Sequence, residues 1–527
     1  GGSPGEGRLG RTAWSRRLRR LGALCALVAL VGAAAVAPAP AAVAPTDALE
    51  QALAILAPAP EHAARFTRRA ADADKRELTL VLRDLAADLA GLTPMRRSTA
   101  ERLLARPTQK AGEGWGPAYT VPEARLCDAN LCIHWLESTV DAPPGADGDP
   151  ATVPEWVRTT LGVFQHVWAA QVDTMGYRAP KTDALSPDNG GDGRLDVYLA
   201  DVGDTVNGYC ATDDPDVRRS AASAYCVVDN DFARAQFHGP TSGLAALEVT
   251  AAHEFFHAVQ FAYDYLEDSW LMEGSATWIE DEVFDDVDDN RQFLNASPLA
   301  RSTIPLDVSF APYHYGAWIF WRYLSETFDP SLVREVWEHA DGTTGRGGLH
   351  SLAATRAAVS ARGLSFGAVF GGFTAANRMP AASYEEGTAY PLEPTSRTWI
   401  LRAPGVSTGW RSQSLRHLTS RSFGFRPAGA GSSRLRLELR LPPRATGSQA
   451  RLLVFRRSGA VSVRSLSEGT GGKATVRVRV RGAVRFELIL ANASTRIRGC
   501  GLYSTPFSCS GKPLDDGRRY SFRATLV

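Results

Sequence analysis

The chain has 527 residues and an almost neutral formal charge of +1, from 58 Lys and Arg against 57 Asp and Glu. Hydrophobic residues make up 44% and charged residues 22%, a globular balance that excludes a largely disordered chain. A single long apolar run excludes a polytopic membrane protein, and the length suggests about two to four domains.

In chain order, the first predicted element is a leader. Arg8, Arg11, Arg16, Arg17, Arg19 and Arg20 precede an apolar run over 21–37, and the small-residue stretch APAPAAVAP follows. This order predicts a secretory signal peptide over 1–44, cleaved near 41–44, and a secreted product with no stable membrane span. A single anchor is the competing reading; the run falls short of about 20 residues and ends in Pro38 and Pro40, which favours cleavage. Past Cys25 in the leader, the cysteines fall in close pairs: Cys127 with Cys132, Cys210 with Cys226, Cys500 with Cys509. An even count in an exported chain predicts disulfides, and sequential pairing is the simplest connectivity because each bridge closes a local loop.

Residues 45–112 are predicted to be helical, with Leu78, Leu82, Leu85 and Leu89 at helical spacing. They are either a propeptide or an N-terminal subdomain. Residues 113–395 carry a hairpin over 115–142, a helix over 154–176, strands over 194–202 and 224–230, and a long helix over 242–266. A second helix starts near Trp270, a third covers 315–328, and more follow over 331–371. From 396 to the end, RLRLELRL, ARLLVFR, ATVRVRVRG and AVRFELILAN alternate with period two, predicting an all-β sandwich. The fold class is therefore α+β. Residues 401–527 hold 24 Lys and Arg against five Asp and Glu, so this tail is strongly basic and the remainder acidic. The tail is expected to dock on the acidic part, to bind an anionic cell-wall polymer, or to be simply a solvated basic surface.

The chemistry sits at His253-Glu254-Phe255-Phe256-His257. On a helix, residues four apart share a face, so both imidazoles can meet one metal ion with Glu254 beside them to move a proton. Alone, this pattern is weak. The following segment, WLMEGSATWIE over 270–280, starts a second helix with Glu273 and Glu280 about two turns apart. HExxH followed by this Glu-Gly-x-Ala segment resembles the gluzincin zinc metallopeptidases. With the later YHYGAWIFWRYL, it also resembles a family of secreted bacterial metalloproteases over roughly 125–345. The resemblance implies a zincin-like catalytic domain, Zn²⁺ held by His253, His257 and Glu273, Glu254 as general base, and a protein or peptide substrate. Glu280 is the rival ligand, read as a supporting or surface residue. The amine-binding Gly-x-Met-Glu-Asn segment of the aminopeptidase branch is missing, so exopeptidase specificity is not implied. Tyr315, with His314 and Tyr313 behind it, is the candidate oxyanion donor; core packing at a helix start is the even alternative.

Asp188, Asp192 and Asp196 in a Gly-rich stretch resemble part of a calcium loop, but the EF-hand template fails at its third and twelfth positions, and a plain turn competes. His134, His166, His238 and His339 lack ligand spacing and are read as structural. The Arg-rich tail lacks aromatic interleaving, so no nucleic-acid partner is expected. These readings converge on a secreted zinc endopeptidase. The alternatives are a non-catalytic surface or adhesion protein on a peptidase scaffold, and a gluzincin hydrolase acting on a non-peptide bond.

Overall fold

The structure is a computed structural model that describes residues 47–56, 78–110, 116–203, 206–215, 220–237, 241–310, 312–344, 348–428 and 433–527, apart from residue 468. The predicted signal peptide lies outside the described residues. Three helices come first: α1 (Ala48–Leu56), α2 (Leu78–Asp88) and α3 (Pro94–Leu104). Five strands follow: β1 (Ala124–Cys127), β2 (Leu131–Trp135), β3 (Leu195–Ala200), β4 (Gly208–Ala211) and β5 (Tyr225–Asp229). The helix α4 (Glu155–Trp168) separates β2 from β3, and a π-helical turn over Ala169–Thr174 continues it.

These strands form one sheet in the order β1-β2-β3-β5-β4, parallel at its centre and antiparallel at both edges. Every residue of β3 and β5 is buried, which requires both faces to be covered. Alternation divides them. Val197, Leu199 and Val228 pack in a core with residues of α4 and of the long helix α5 (Leu244–Asp264). Tyr198, Ala200, Tyr225 and Val227 pack in a second core with the leucines of α1, α2 and α3. The segment predicted as a propeptide or subdomain is thus the second cover of the central sheet. It is also clamped by charge. Arg106, fully buried, meets Asp183 at 2.6 Å and Asp213 at 2.8 Å, and pairs with Asp196.

Helix α6 (Ser269–Val283) follows α5, and α7 (Tyr313–Gly316), α8 (Trp318–Thr327), α9 (Ser331–Ala340), α10 (Ser351–Ala361), α11 (Phe366–Ala376) and the one-turn α12 (Pro380–Ser383) complete the helical part. Gly274 sets the approach of α7 and α8 to α6, since a Cβ there would lie 2.7 Å from Trp321 Nε1 and 3.3 Å from the His314 carbonyl oxygen.

The C-terminal part holds β6 (Arg397–Leu401), β7 (Arg411–Leu415), β8 (Thr419–Pro427), β9 (Arg434–Arg440), β10 (Ser448–Arg456), β11 (Val461–Ser465), β12 (Lys473–Arg479), β13 (Ala483–Asn492), the short pair β14 (Ile497–Arg498) and β15 (Lys512–Pro513), and β16 (Arg518–Leu526). Two sheets, β11-β10-β13-β8-β6 and β12-β9-β16-β7, enclose a shared core that includes Leu437, Leu488 and Phe522. The first sheet backs onto α11 through Ala375, Leu453 and Ile489, with an Arg378–Glu487 pair at the seam. The joint between sandwich and helices is therefore apolar with local ion pairs. The second sheet, whose strands carry ten Lys and Arg, contributes no residue to that apolar contact.

The sulfurs pair as Cys127–Cys132, Cys210–Cys226 and Cys500–Cys509. The first two bridges join residues directly opposite each other on neighbouring antiparallel strands. Among the described residues, no helix is long and apolar enough to cross a membrane.

Candidate metal centre

Helix α5 runs from Leu244 to Asp264 without Pro or Gly, and it places His253 and His257 one turn apart. Glu273 arrives from the second turn of α6. His253 Nε2 lies 3.3 Å and His257 Nε2 3.6 Å from the two Glu273 oxygens. One ligand atom from each of the three residues falls within 4.8 Å of the others. Neither Glu273 oxygen makes a hydrogen bond, although the residue is only 1% exposed. A buried carboxylate without donors needs compensation, and two imidazole nitrogens facing it make a donor set of the zinc type.

The outer nitrogens of both rings are engaged. His257 Nδ1 lies 2.8 Å from Gln260 Oε1, and Gln260 Nε2 donates to the Met272 carbonyl at 2.9 Å. A carbonyl only accepts, so the amide orientation is fixed and Gln260 Oε1 must accept from His257. The proton then sits on Nδ1, and the Nε2 lone pair faces Glu273. His253 Nδ1 likewise lies 2.6 Å from Glu280 Oε1. Glu280, the rival ligand of the sequence reading, orients His253 from behind. Electrostatics agree. Burial opposes a charge on His253, yet Glu273 and Glu280 outweigh it and raise its pKa well above the ordinary value. Burial would raise Glu273, but His257 and His253 hold it down at about 2. Burial lowers His257 to about 4, keeping it neutral.

Glu254 lines a cavity of about 270 Å³ beside His253, together with Gly208 of the edge strand β4, Glu280, Phe293 and Tyr315. Burial raises its carboxyl to about 7. The Thr79 hydroxyl, on α2, donates to Glu254 Oε2 at 3.1 Å and accepts from the Cys210 amide at 3.0 Å. Tyr315 lies with its ring 6.2 Å from that of His253 and stacks on Phe293. His314 is 1% exposed, its ring lies 4.8 Å from that of Tyr315, and it is not among the residues that line the cavity. The Tyr313 hydroxyl donates to the Ile304 carbonyl and is structural.

The three aspartates of the calcium reading do not converge. Asp188 accepts from Thr108, Asp192 pairs with Arg194 at 2.5 Å, and Asp196 is shared by Arg106 and His134. Each carboxylate is neutralised or bonded by a different protein group, so no common calcium point forms. In the acidic stretch EDEVFDDVDD over 280–289, Asp281 pairs with Arg322 at 2.8 Å, and the nearby Glu386 with Arg291 at 2.7 Å. Of the histidines read as structural, His134 is buried between Glu123 and Asp196, and His166 packs its ring 5.2 Å from that of Phe284. His238 lies outside the described residues. Sequence reasoning passed over Thr79, Gln260, Arg106 and the edge strand β4. Gln260 alone had a local signal, three residues past His257 on the same helix face.

No protein-family model matches the sequence, and no curated protein matches it. Among solved structures, the pre-peptidase C-terminal domain of a collagenase from Bacillus anthracis is 10% identical, covering 26% of this chain and 100% of that one with a TM-score of 0.16. A periplasmic inhibitor of g-type lysozyme from Escherichia coli is 9% identical, covering 25% and 96% with a TM-score of 0.16. A family GH115 4-O-methyl-alpha-glucuronidase is 11% identical, covering 54% and 38% with a TM-score of 0.14. Likenesses this low carry no argument about function.

Proposed function

We propose that this chain is a secreted zinc-dependent endopeptidase of the gluzincin type. One observation carries the reading: ligand atoms of His253, His257 and Glu273 converge within 4.8 Å, beside a buried Glu254 that lines a cavity. The orientation of both imidazoles by Gln260 and Glu280 supports it, because metal-binding histidines commonly have such partners.

His253, His257 and Glu273 would hold the ion. When bound, zinc acts as a Lewis acid and brings the pKa of an attacking water toward about 7. Glu254 takes the proton from that water and passes it to the amine nitrogen as the peptide C–N bond breaks. Thr79 fixes one oxygen of Glu254, leaving the other for the proton. Tyr315 shares the cavity and is the candidate donor to the developing oxyanion. Three disulfides favour an oxidising, extracellular setting.

The test is casein hydrolysis by the purified chain, with and without a chelator, beside Glu254→Gln. Hydrolysis is expected to vanish with chelator, to return with added zinc, and to be absent in the variant. Cleavage that survives Glu254→Gln rejects the mechanism.

A further inference from the structure

We propose that the outer face of the sheet β12-β9-β16-β7 binds a linear polyphosphodiester, of the kind that poly(glycerol phosphate) presents. This stands apart from the metal centre and from the peptidase reading.

Alternation decides what this face displays. On β9, Leu435, Leu437 and Leu439 enter the sandwich core, which turns Arg434, Arg436, Glu438 and Arg440 outward. On β12, Ala474 and Val478 enter it, which turns Lys473, Arg477 and Arg479 outward. The register then sets like charges directly opposite one another: Lys473 faces Arg440, Arg477 faces Arg436, and Arg479 faces Arg434. Like charges at directly opposed positions destabilise a sheet. Strand β16 adds Arg519 and Arg523 on the same face. Glu438 is the one carboxylate these four strands carry, and Arg523 holds it at 2.7 Å.

A sequence selected for stability alone would place acids opposite these arginines. Three of the four outward pairs between β12 and β9 set cation against cation, and the fourth, Thr475 with Glu438, brings a single carboxylate that Arg436 and Arg523 share; the repulsion left over costs stability, whereas a polyanion lying along the face neutralises both rows. Alternate residues on a strand repeat at about 6.5–7 Å, and neighbouring strands lie under about 5 Å apart. The face is therefore a pair of closely spaced rails of positive charge, matched to a chain with one anion per repeat. All of these cations but Lys473 are Arg, whose planar fork grips phosphate oxygens in pairs.

Other polyanions fit less well. Single-stranded nucleic acid needs aromatic platforms for its bases. The exposed aromatic here, Trp410, already has the Arg440 guanidinium 4.2 Å and that of Arg523 5.1 Å from its ring centre. The other sheet faces α11, so this one remains outward.

The test is binding of the full chain to immobilised poly(glycerol phosphate) across a salt series, with thermal unfolding of each variant alongside. The wild type is expected to bind at low salt and to weaken as salt rises. The triple variant R434Q/R477Q/R479Q is expected to lose about tenfold or more in affinity. Its log–log salt slope should shrink by about two, at about 0.7 per released phosphate contact. Its unfolding midpoint should stay level or rise, since the repulsion is relieved. A control, R457Q/R464Q at the β10–β11 hairpin of the other sheet, should bind as the wild type does. If the triple variant fails to fold, Arg477→Gln alone reads the same loss at about threefold. Absence of wild-type binding at low salt overturns the proposal, as does equal binding by the triple variant. Tighter binding of single-stranded DNA of equal charge overturns it too, and would assign the face to nucleic acid.

Discussion

The Thr79 hydroxyl donates a hydrogen bond to the Glu254 carboxylate across 3.1 Å, although 175 positions separate the two residues. A hydroxyl has one hydrogen to give, and the Cys210 amide, by donating to Thr79 Oγ1, leaves that hydrogen for Glu254. A hydrogen bond to a charged group is worth about 1.5–3 kcal/mol. Thr79→Val is therefore expected to lower kcat for peptide hydrolysis by about 10- to 100-fold, with KM and zinc content unchanged. Thr79→Ser should retain most of the activity. An unaltered kcat in Thr79→Val would show that other groups hold the carboxylate.

Metal content separates ligands from the proton carrier. His257→Ala and Glu273→Ala are expected to emerge from dialysis without stoichiometric zinc, while Glu254→Gln keeps it. Elemental analysis reads the difference directly. Full zinc in Glu273→Ala would remove Glu273 from the ligand set.

In the proposed centre, Gln260 acts on the metal only through His257. Replacing it with Leu removes the acceptor that fixes the His257 tautomer, and losses of about 10- to 100-fold in metal affinity are usual for such partners. Competition with a chromogenic chelator measures this. An unchanged affinity would mean that helix packing alone orients the ring.

Acid–base linkage gives a prediction at the seam between sandwich and helices. His417 is almost completely buried, and although burial opposes its charge, Asp307 at 2.8 Å and Asp516 raise its pKa to about 9. The folded pKa lies above the unfolded value of about 6.5, so the stabilisation is fully present below pH about 6.5 and is lost as pH rises through about 9. Urea unfolding should show stability falling over that window, and His417→Gln should flatten the fall. A wild-type stability that is constant from pH 6.5 to 9 would contradict the assignment.

Arg106 pairs with three carboxylates from inside the fold. Arg106→Met keeps the bulk but removes the cation from Asp183 and Asp213 and leaves Asp196 to His134 alone, and breaking a buried pair in this way costs about 3–5 kcal/mol. Denaturant titration should show that loss. A change below about 1 kcal/mol would mean that the aspartates are hydrated in the folded state.

Periodicity made much of the architecture readable. The helix carrying His253 and His257, the following helix with Glu273, and the strands β9, β10, β12 and β13 all follow from spacing, because local burial dictates local pattern. Strand β16 was equally readable, with Tyr520, Phe522, Ala524 and Leu526 alternating into the core, yet it escaped the sequence reading. The pairing of neighbouring cysteines was readable too, since short loops favour local bridges.

The amino-acid sequence by itself determined most of the elements and the pairing of neighbouring cysteines, for each depends on residues near one another along the chain. Only the tertiary structure decided that α1–α3 cover the central sheet, that Thr79 reaches Glu254, that Glu280 turns His253 from behind, and that Asp196 of the calcium reading goes to Arg106 and His134. Those relationships join residues tens to hundreds of positions apart. Their signal lies in packing and in the neutralisation of buried charge, which no local period records.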